Sequence, residues 1–147
     1  MVKNFLKQMT KLVGKRKGWK YSCFEAFVLK NGEPFVVNGI KVKRGKIKEC
    51  FKNAFYLADY NPDLTYVEGY AIFSGIGLPV LHAWCVDKDG KVYDPTWKTL
   101  GDEYFGVKFD IEFVRKTILA RRRFGVIDNF EKEFPLLKGE EESDGNV

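Results

Sequence analysis

Histidine is almost missing from this 147-residue chain: it occurs once, as His82. Any chemistry that needs an imidazole therefore has a single candidate. A zinc site is not expected, because a single histidine and no C-x-x-C pair leave the chain without the ligand spacing such a site uses. Those cysteines, Cys23, Cys50 and Cys85, are odd in number and lack scaffold-like spacing. They argue against a disulfide framework and for a reducing, cytoplasmic compartment. No apolar run approaches the ~20 residues of a membrane span. The N-terminus has no uninterrupted apolar segment with a small-residue cleavage site, so no secretory signal is expected. Acids are missing from residues 1–20, which carry Lys3, Lys7, Lys11, Lys15, Arg16, Lys17 and Lys20.

What is present reads as one globular domain. Apolar residues make up 45%, charged residues 31% and aromatics 16%, which excludes collagen-like, coiled-coil and wholly disordered chains. A chain of this length buries roughly 70% of its extended surface. The net charge of +5 is uneven. A second basic run holds Lys41, Lys43, Arg44, Lys46 and Lys48, and a third holds Arg121, Arg122 and Arg123, whereas the last seventeen residues carry six acids against Lys132 and Lys138. Such runs form either a surface for an anionic partner, nucleic acid included, or ordinary solvated faces. The expected organisation is one domain over residues 1–137 and an acidic, disordered tail over 138–147.

Hydrophobic spacing gives the elements. Val2, Phe5, Leu6, Met9, Leu12 and Val13 recur as on a basic amphipathic helix, suited to docking on its own core or on a membrane. Asn31-Gly32 and Asn38-Gly39 are hairpin-turn signals and predict a meander with strands near 23–30, 33–37 and 40–43. A helix is expected from Lys46 to Tyr60, ended by Asn61-Pro62, with Ile47, Cys50, Ala54, Leu57 and Ala58 as its apolar face. Strands follow at 65–73, 79–87 and 91–94. Gly75-Ile76-Gly77 joins two of them and reads as an ordinary loop. Asp110 caps a last helix bearing Ile111, Val114 and Ile118. The stretch 101–147 carries no motif.

Three pieces carry chemistry: Cys50 near a helix start, His82-Ala83-Trp84 on a strand, and Asp94-Pro95-Thr96-Trp97 at the end of the next. Thiol catalysis needs a thiolate, an imidazole beside it and a group that orients the imidazole. A three-residue loop Lys88-Asp89-Gly90, with Gly at the left-handed position, pairs Asp87 with Lys91. Trp84 then lies opposite Asp94, with His82 its diagonal neighbour on the same face. A two-residue turn would shift the register by one and separate His82 from Asp94. The same parity sends Cys85 to the opposite face. At Cys50 the helix N-terminus and nearby Arg44, Lys46 and Lys48 favour an anionic sulfur. Asn53, three residues on, either holds the adjoining loop or polarises substrate. Trp84 and Trp97 are site walls or core aromatics.

The order Cys50-Phe51-Lys52-Asn53-Ala54, Tyr66-Val67-Glu68-Gly69-Tyr70, His82-Ala83-Trp84 and Val92-Tyr93-Asp94-Pro95-Thr96-Trp97 resembles the transglutaminase-like branch of the papain-like cysteine enzymes. The likeness covers residues 47–97 and is nearer to the small members of bacteria and phages than to the large calcium-dependent cross-linking enzymes. It implies an α+β fold with a papain-like core, in which a catalytic helix packs on an antiparallel sheet. It implies Cys50 as nucleophile, His82 as general base and acid, and Asp94 as orienting carboxylate. Relatives often carry Gly immediately before x-Cys, where this chain has Lys48. The oxyanion hole has one expected donor, the Cys50 N–H, and three upstream candidates for a second: Trp19, Tyr21 and Arg44. The expected activity is hydrolysis of amide bonds through a thioester, as in a peptidase or amidase, on a protein or peptide substrate that includes acidic ones. A protein transamidase or deamidase with the same triad, and a catalytically silent binding module with a basic face, are the alternatives. No cofactor and no metal are implied.

Overall fold

Along residues 65–72 two side-chain sets alternate, Tyr66, Glu68, Tyr70 and Ile72 against Val67, Gly69 and Ala71, and both sets are buried. A strand with two buried faces belongs in the middle of a covered sheet. The computed structural model, which describes residues 1–140, places it there. In chain order the elements are α1 (Val2–Val13), α2 (Phe24–Asn31), β1 (Glu33–Phe35), α3 (Cys50–Tyr60), β2 (Thr65–Ile72), β3 (Pro79–Val86), β4 (Val92–Tyr93), β5 (Glu103–Phe109), α4 (Ile111–Arg121), a 3-10 turn (Phe130–Lys132) and α5 (Pro135–Lys138). The five strands form one antiparallel sheet in the order β1-β5-β2-β3-β4, so the fold is α+β.

The two faces hold two cores. On the first, Tyr66, Tyr70, Ala83, Cys85, Phe105, Val107 and Phe109 pack with Val2 and Leu6 of α1, Phe27 and Val28 of α2, Ala54, Phe55 and Ala58 of α3, and Val114 of α4. On the second, Val67, Ala71, Trp84, Val86, Val92 and Tyr104 form a smaller cluster covered by Phe35, Trp97 and Leu100. The amphipathic first helix thus docks on its own core through Val2 and Leu6, while Leu12 and Val13 stay exposed. Among the described residues no helix is long and apolar enough to cross a membrane.

Three expectations are corrected. Residues 24–31 are a helix rather than a strand: Phe27 and Val28 bury one face, and the Gly32 N–H donates to Val28 O at 2.7 Å to close the last turn. Gly32 is needed for closeness, since a Cβ there would lie 2.6 Å from Val28 O and 2.9 Å from Gly106 O. Residues 40–43 form no strand either. Asn38 Oδ1 accepts from the Ile40 N–H at 3.1 Å, a local turn that leaves the segment as a loop over the second face. The catalytic-helix candidate begins at Cys50 rather than Lys46, which leaves Ile47 outside it and exposed. The pattern around 101–109 also concealed a strand: β5, between β1 and β2, carries the alternation Tyr104, Gly106 against Phe105, Val107 and Phe109.

The chain end is tied to the sheet. Lys138, expected in the tail, closes α5, and residues 141–147 of that tail lie outside the described residues. Glu68, 1% exposed, accepts from Tyr66 Oη (2.6 Å), Val126 N (2.7 Å) and Ile127 N (3.1 Å). Burial pushes the Glu68 carboxyl up, against the downward pull of those three donors and of Arg121. Arg121 is buried on Glu131 and Gly125 O, so the third basic run begins as internal structure rather than a free surface. Glu68→Ala leaves two buried N–H groups without acceptors. It should lower stability by on the order of 3–5 kcal/mol in urea unfolding, with the denaturant slope unchanged.

Candidate active site

The hairpin β3–β4 sets the first two groups. Cys85 faces Tyr93 and Val86 faces Val92, and the Asp87 N–H donates to Lys91 O at 3.2 Å. Three residues therefore form the loop, and Gly90 takes φ +76° as that loop requires. Counting back, Asp94 and His82 share the second face. His82 Nε2 and Asp94 Oδ2 are 2.8 Å apart, with both side chains buried.

Asp94 is saturated with donors. Tyr104 Oη donates to Oδ2 at 2.7 Å, and the Thr96 and Trp97 N–H groups donate to Oδ1 at 3.0 and 3.2 Å. Burial opposes its charge, but the bonds from His82, Thr96 and Tyr104 hold the carboxyl below its usual range. Tyr104, a residue the sequence did not single out, is itself positioned by the Gly101 N–H at 2.9 Å. The signal for it lay in the alternation of β5. Trp97 stacks on His82 with ring centroids 3.9 Å apart and planes 14° from parallel, and closes the ion pair from water. Trp84 is wholly buried and belongs to the second core.

The third group comes around the sheet edge. The body of α3 lies on the first face, where Cys85 Sγ donates to Ala54 O at 3.2 Å. Along β3, β4 covers only Cys85 and Val86, so the outer edge of β3 at His82 carries no strand. The start of α3 reaches past that edge. Asn53 Nδ2 donates to Thr96 Oγ1 and to Lys46 O, both at 2.9 Å, and the Gly45 N–H donates to Pro95 O at 2.8 Å. Asn53 thus holds the loop. These bonds tie the helix start to the Asp94-Pro95-Thr96 turn and bring Cys50 beside the imidazole. Burial lowers the His82 pKa, but hydrogen bonding and charge from Asp94 and Cys50 outweigh it and raise it to about 9. With Nε2 given to Asp94, Nδ1 is the nitrogen left for the sulfur.

Cys50 is the first residue of α3, so its N–H has no carbonyl partner within the helix and is free for an oxyanion. Lys48, two residues before it, sits at φ +68°, in the left-handed region that glycine favours. Of the other thiols, Cys85 is buried against α3, which pushes its pKa well up, and Cys23 lies at the start of α2. Trp19 and Tyr21 pack away from the site, against Phe134 and Phe27. Arg44 alone of the three candidate donors comes to it, lining a cavity with Asp94 and Trp97. Among the described residues no cluster of side chains could hold a metal.

No family model matches the chain, and no curated protein or solved structure matches it.

Two predictions follow from this geometry. Because the chain has one histidine, imidazole NMR reads His82 alone. It should stay protonated until the pH nears 9, and Asp94→Asn should lower that midpoint. The raised value stabilises the fold fully below pH 6.5, and this contribution is lost as the pH rises through about 9. Asp94 works in the opposite sense: its contribution is present above 3.8 and lost as the pH falls through its lowered value. An imidazole already neutral at pH 7 would contradict the ion pair. Lys48→Gly should raise stability by about 0.5–1 kcal/mol in thermal unfolding, since relief of left-handed strain exceeds the added chain entropy.

Proposed function

We propose that the protein is a cysteine-nucleophile acyl-transfer enzyme of the transglutaminase-like type, acting on amide bonds as a peptidase or amidase. The observation that carries this reading is the buried His82–Asp94 pair, 2.8 Å apart, with Cys50 at the first position of a helix beside the same ring. A structural histidine needs a hydrogen-bond partner. It does not need a thiol at a helix N-terminus beside the same ring, with the helix start bonded to the carboxylate's own turn.

The reacting form is a Cys50 thiolate beside a protonated His82, whose pKa is raised to about 9; the helix N-terminus and that cation stabilise the negative charge the sulfur carries into the attack. Cys50 Sγ attacks the amide carbonyl carbon and forms a C–S bond. The Cys50 N–H donates to the developing oxyanion. The C–N bond then breaks, and His82 passes its Nδ1 proton to the departing nitrogen. Neutral His82 next takes a proton from water, which attacks the thioester carbon. The C–S bond breaks, the acid leaves, and the thiolate–imidazolium pair is restored. Asp94 keeps the ring oriented and compensates its charge throughout. An amine in place of water in the second step gives transamidation by the same groups.

Iodoacetamide labelling near pH 6, followed by peptide mapping, tests the assignment. Cys50 should react faster than Cys23 and Cys85, and His82→Ala should slow it at least tenfold as the ion pair is lost. Faster reaction at Cys23 overturns the assignment. On any amide the enzyme turns over, Cys50→Ala should reduce kcat by about 10³ or more, as loss of a triad nucleophile does.

A further inference from the structure

The cavity beside the triad has a chemistry the acyl-transfer step does not use. It measures about 470 Å³, within the size range of ligand sites. Asp94 and Trp97 are among its lining residues, so it adjoins the His82 ring on which Trp97 stacks. Val37, Ile40, Val42 and Leu100 supply apolar wall, and Lys41, Arg44 and Lys98 supply three cations. Its only acid is Asp94, which is 4% exposed and already bonded to four donors. The ion pairs among the described residues leave Lys41, Arg44 and Lys98 without a carboxylate.

Two of these cations have anchored backbones. Arg44 precedes Gly45, whose N–H is bonded to Pro95 O, and Lys98 follows Trp97, whose N–H is bonded to Asp94 Oδ1. A Cβ at position 45 would lie 2.0 Å from Asn53 Oδ1, so the segment is held tightly against the helix start. The backbones that carry Arg44 and Lys98 are therefore held beside the turn that bears Asp94. Three unpaired cations over an apolar floor suit a small amphiphilic anion. They do not suit a polyanion, which needs a basic groove that tracks several successive phosphates.

We infer that this cavity is the specificity pocket of the site and selects peptides bearing a carboxylate side chain next to an apolar residue, close to the amide that is cleaved. The inference rests on the acyl-transfer reading, and its test separates the two. Acetyl-Leu-Glu-amide and acetyl-Leu-Gln-amide are titrated into the ¹⁵N-labelled protein, following the Trp97 indole and the amides of residues 39–45. The Glu peptide should bind about tenfold tighter than its isostere, the combined effect of two or three partly exposed ion pairs. Arg44→Gln with Lys98→Gln should erase the difference, whereas Lys17→Gln, on the exposed N-terminal segment, should preserve it. In the unaltered protein the ratio should also collapse between about 0.05 and about 0.5 M sodium chloride, as screening shortens.

Equal binding of the two peptides overturns the inference, as does a preference that survives in the double variant. A ten-residue oligothymidylate that shifts the same signals at lower concentration than the Glu peptide overturns it in favour of nucleic acid. Iodoacetamide labelling of the peptide-free protein reads the parent assignment separately. Fast Cys50 labelling with no Glu preference removes the pocket and keeps the nucleophile, and slow Cys50 labelling removes both.

Discussion

The arrangement depends on one buried carboxylate. Asp94 accepts from an imidazole, a phenol and two backbone N–H groups, and each donor comes with a different part of the fold. His82 is on β3, Tyr104 is on β5 across β2, and Thr96 and Trp97 form the turn that leaves β4. A charge placed in a low-dielectric interior is tolerable only with such partners. The same bonds that stabilise the carboxylate also fix the ring's rotation and tautomer. Stability of the second face and orientation of the imidazole are thus one set of contacts.

A helix can bring a thiol to that imidazole only if its start and its body do different things. The body of α3 is apolar and lies on the first face, sealed by small Ala54 against Cys85. The start must reach the second face, around an edge that β4 leaves open after two residues. Lys48 turns the chain through a left-handed conformation just before the helix, and Asn53 ties the incoming loop to Thr96. The local strain at Lys48 is the accompaniment of starting the helix at Cys50, where the free N–H and the helix dipole act on the sulfur.

The two other prominent charge features separate by burial. Glu68 on the first face mirrors Asp94 on the second. It gathers the phenol of Tyr66 on its own strand and two N–H groups from the C-terminal segment, and so it holds that segment to the sheet. Arg121 answers Glu131 inside the fold, while Lys41, Arg44 and Lys98 remain around a cavity. Runs that look alike in sequence therefore divide into an internal brace and cations that line a surface cavity.

How much of this was legible in the residues follows from the range of the interactions. Gly90 fits a three-residue loop as well as a two-residue turn; with the three-residue loop that forms, parity puts His82 and Asp94 together and Cys85 on the other face. Each step is local, and side-chain alternation cannot drift. The helix under Asp110 was equally plain, because a cap and a periodic face are near neighbours in sequence. The segment 24–31 was not. Eight residues of mostly apolar character fit a strand or a buried helix, and only packing of Phe27 and Val28 under the sheet decides. Nor could β5 be assigned its place beside β2, since pairing partners more than thirty residues apart leave no local mark, and the Tyr104 bond to Asp94 depends on that placement. Residue order alone established that one imidazole, one carboxylate and one helix-borne thiol were available. That the thiol passes around the sheet edge to meet the other two was decided by tertiary structure, because only a folded sheet has an edge to pass.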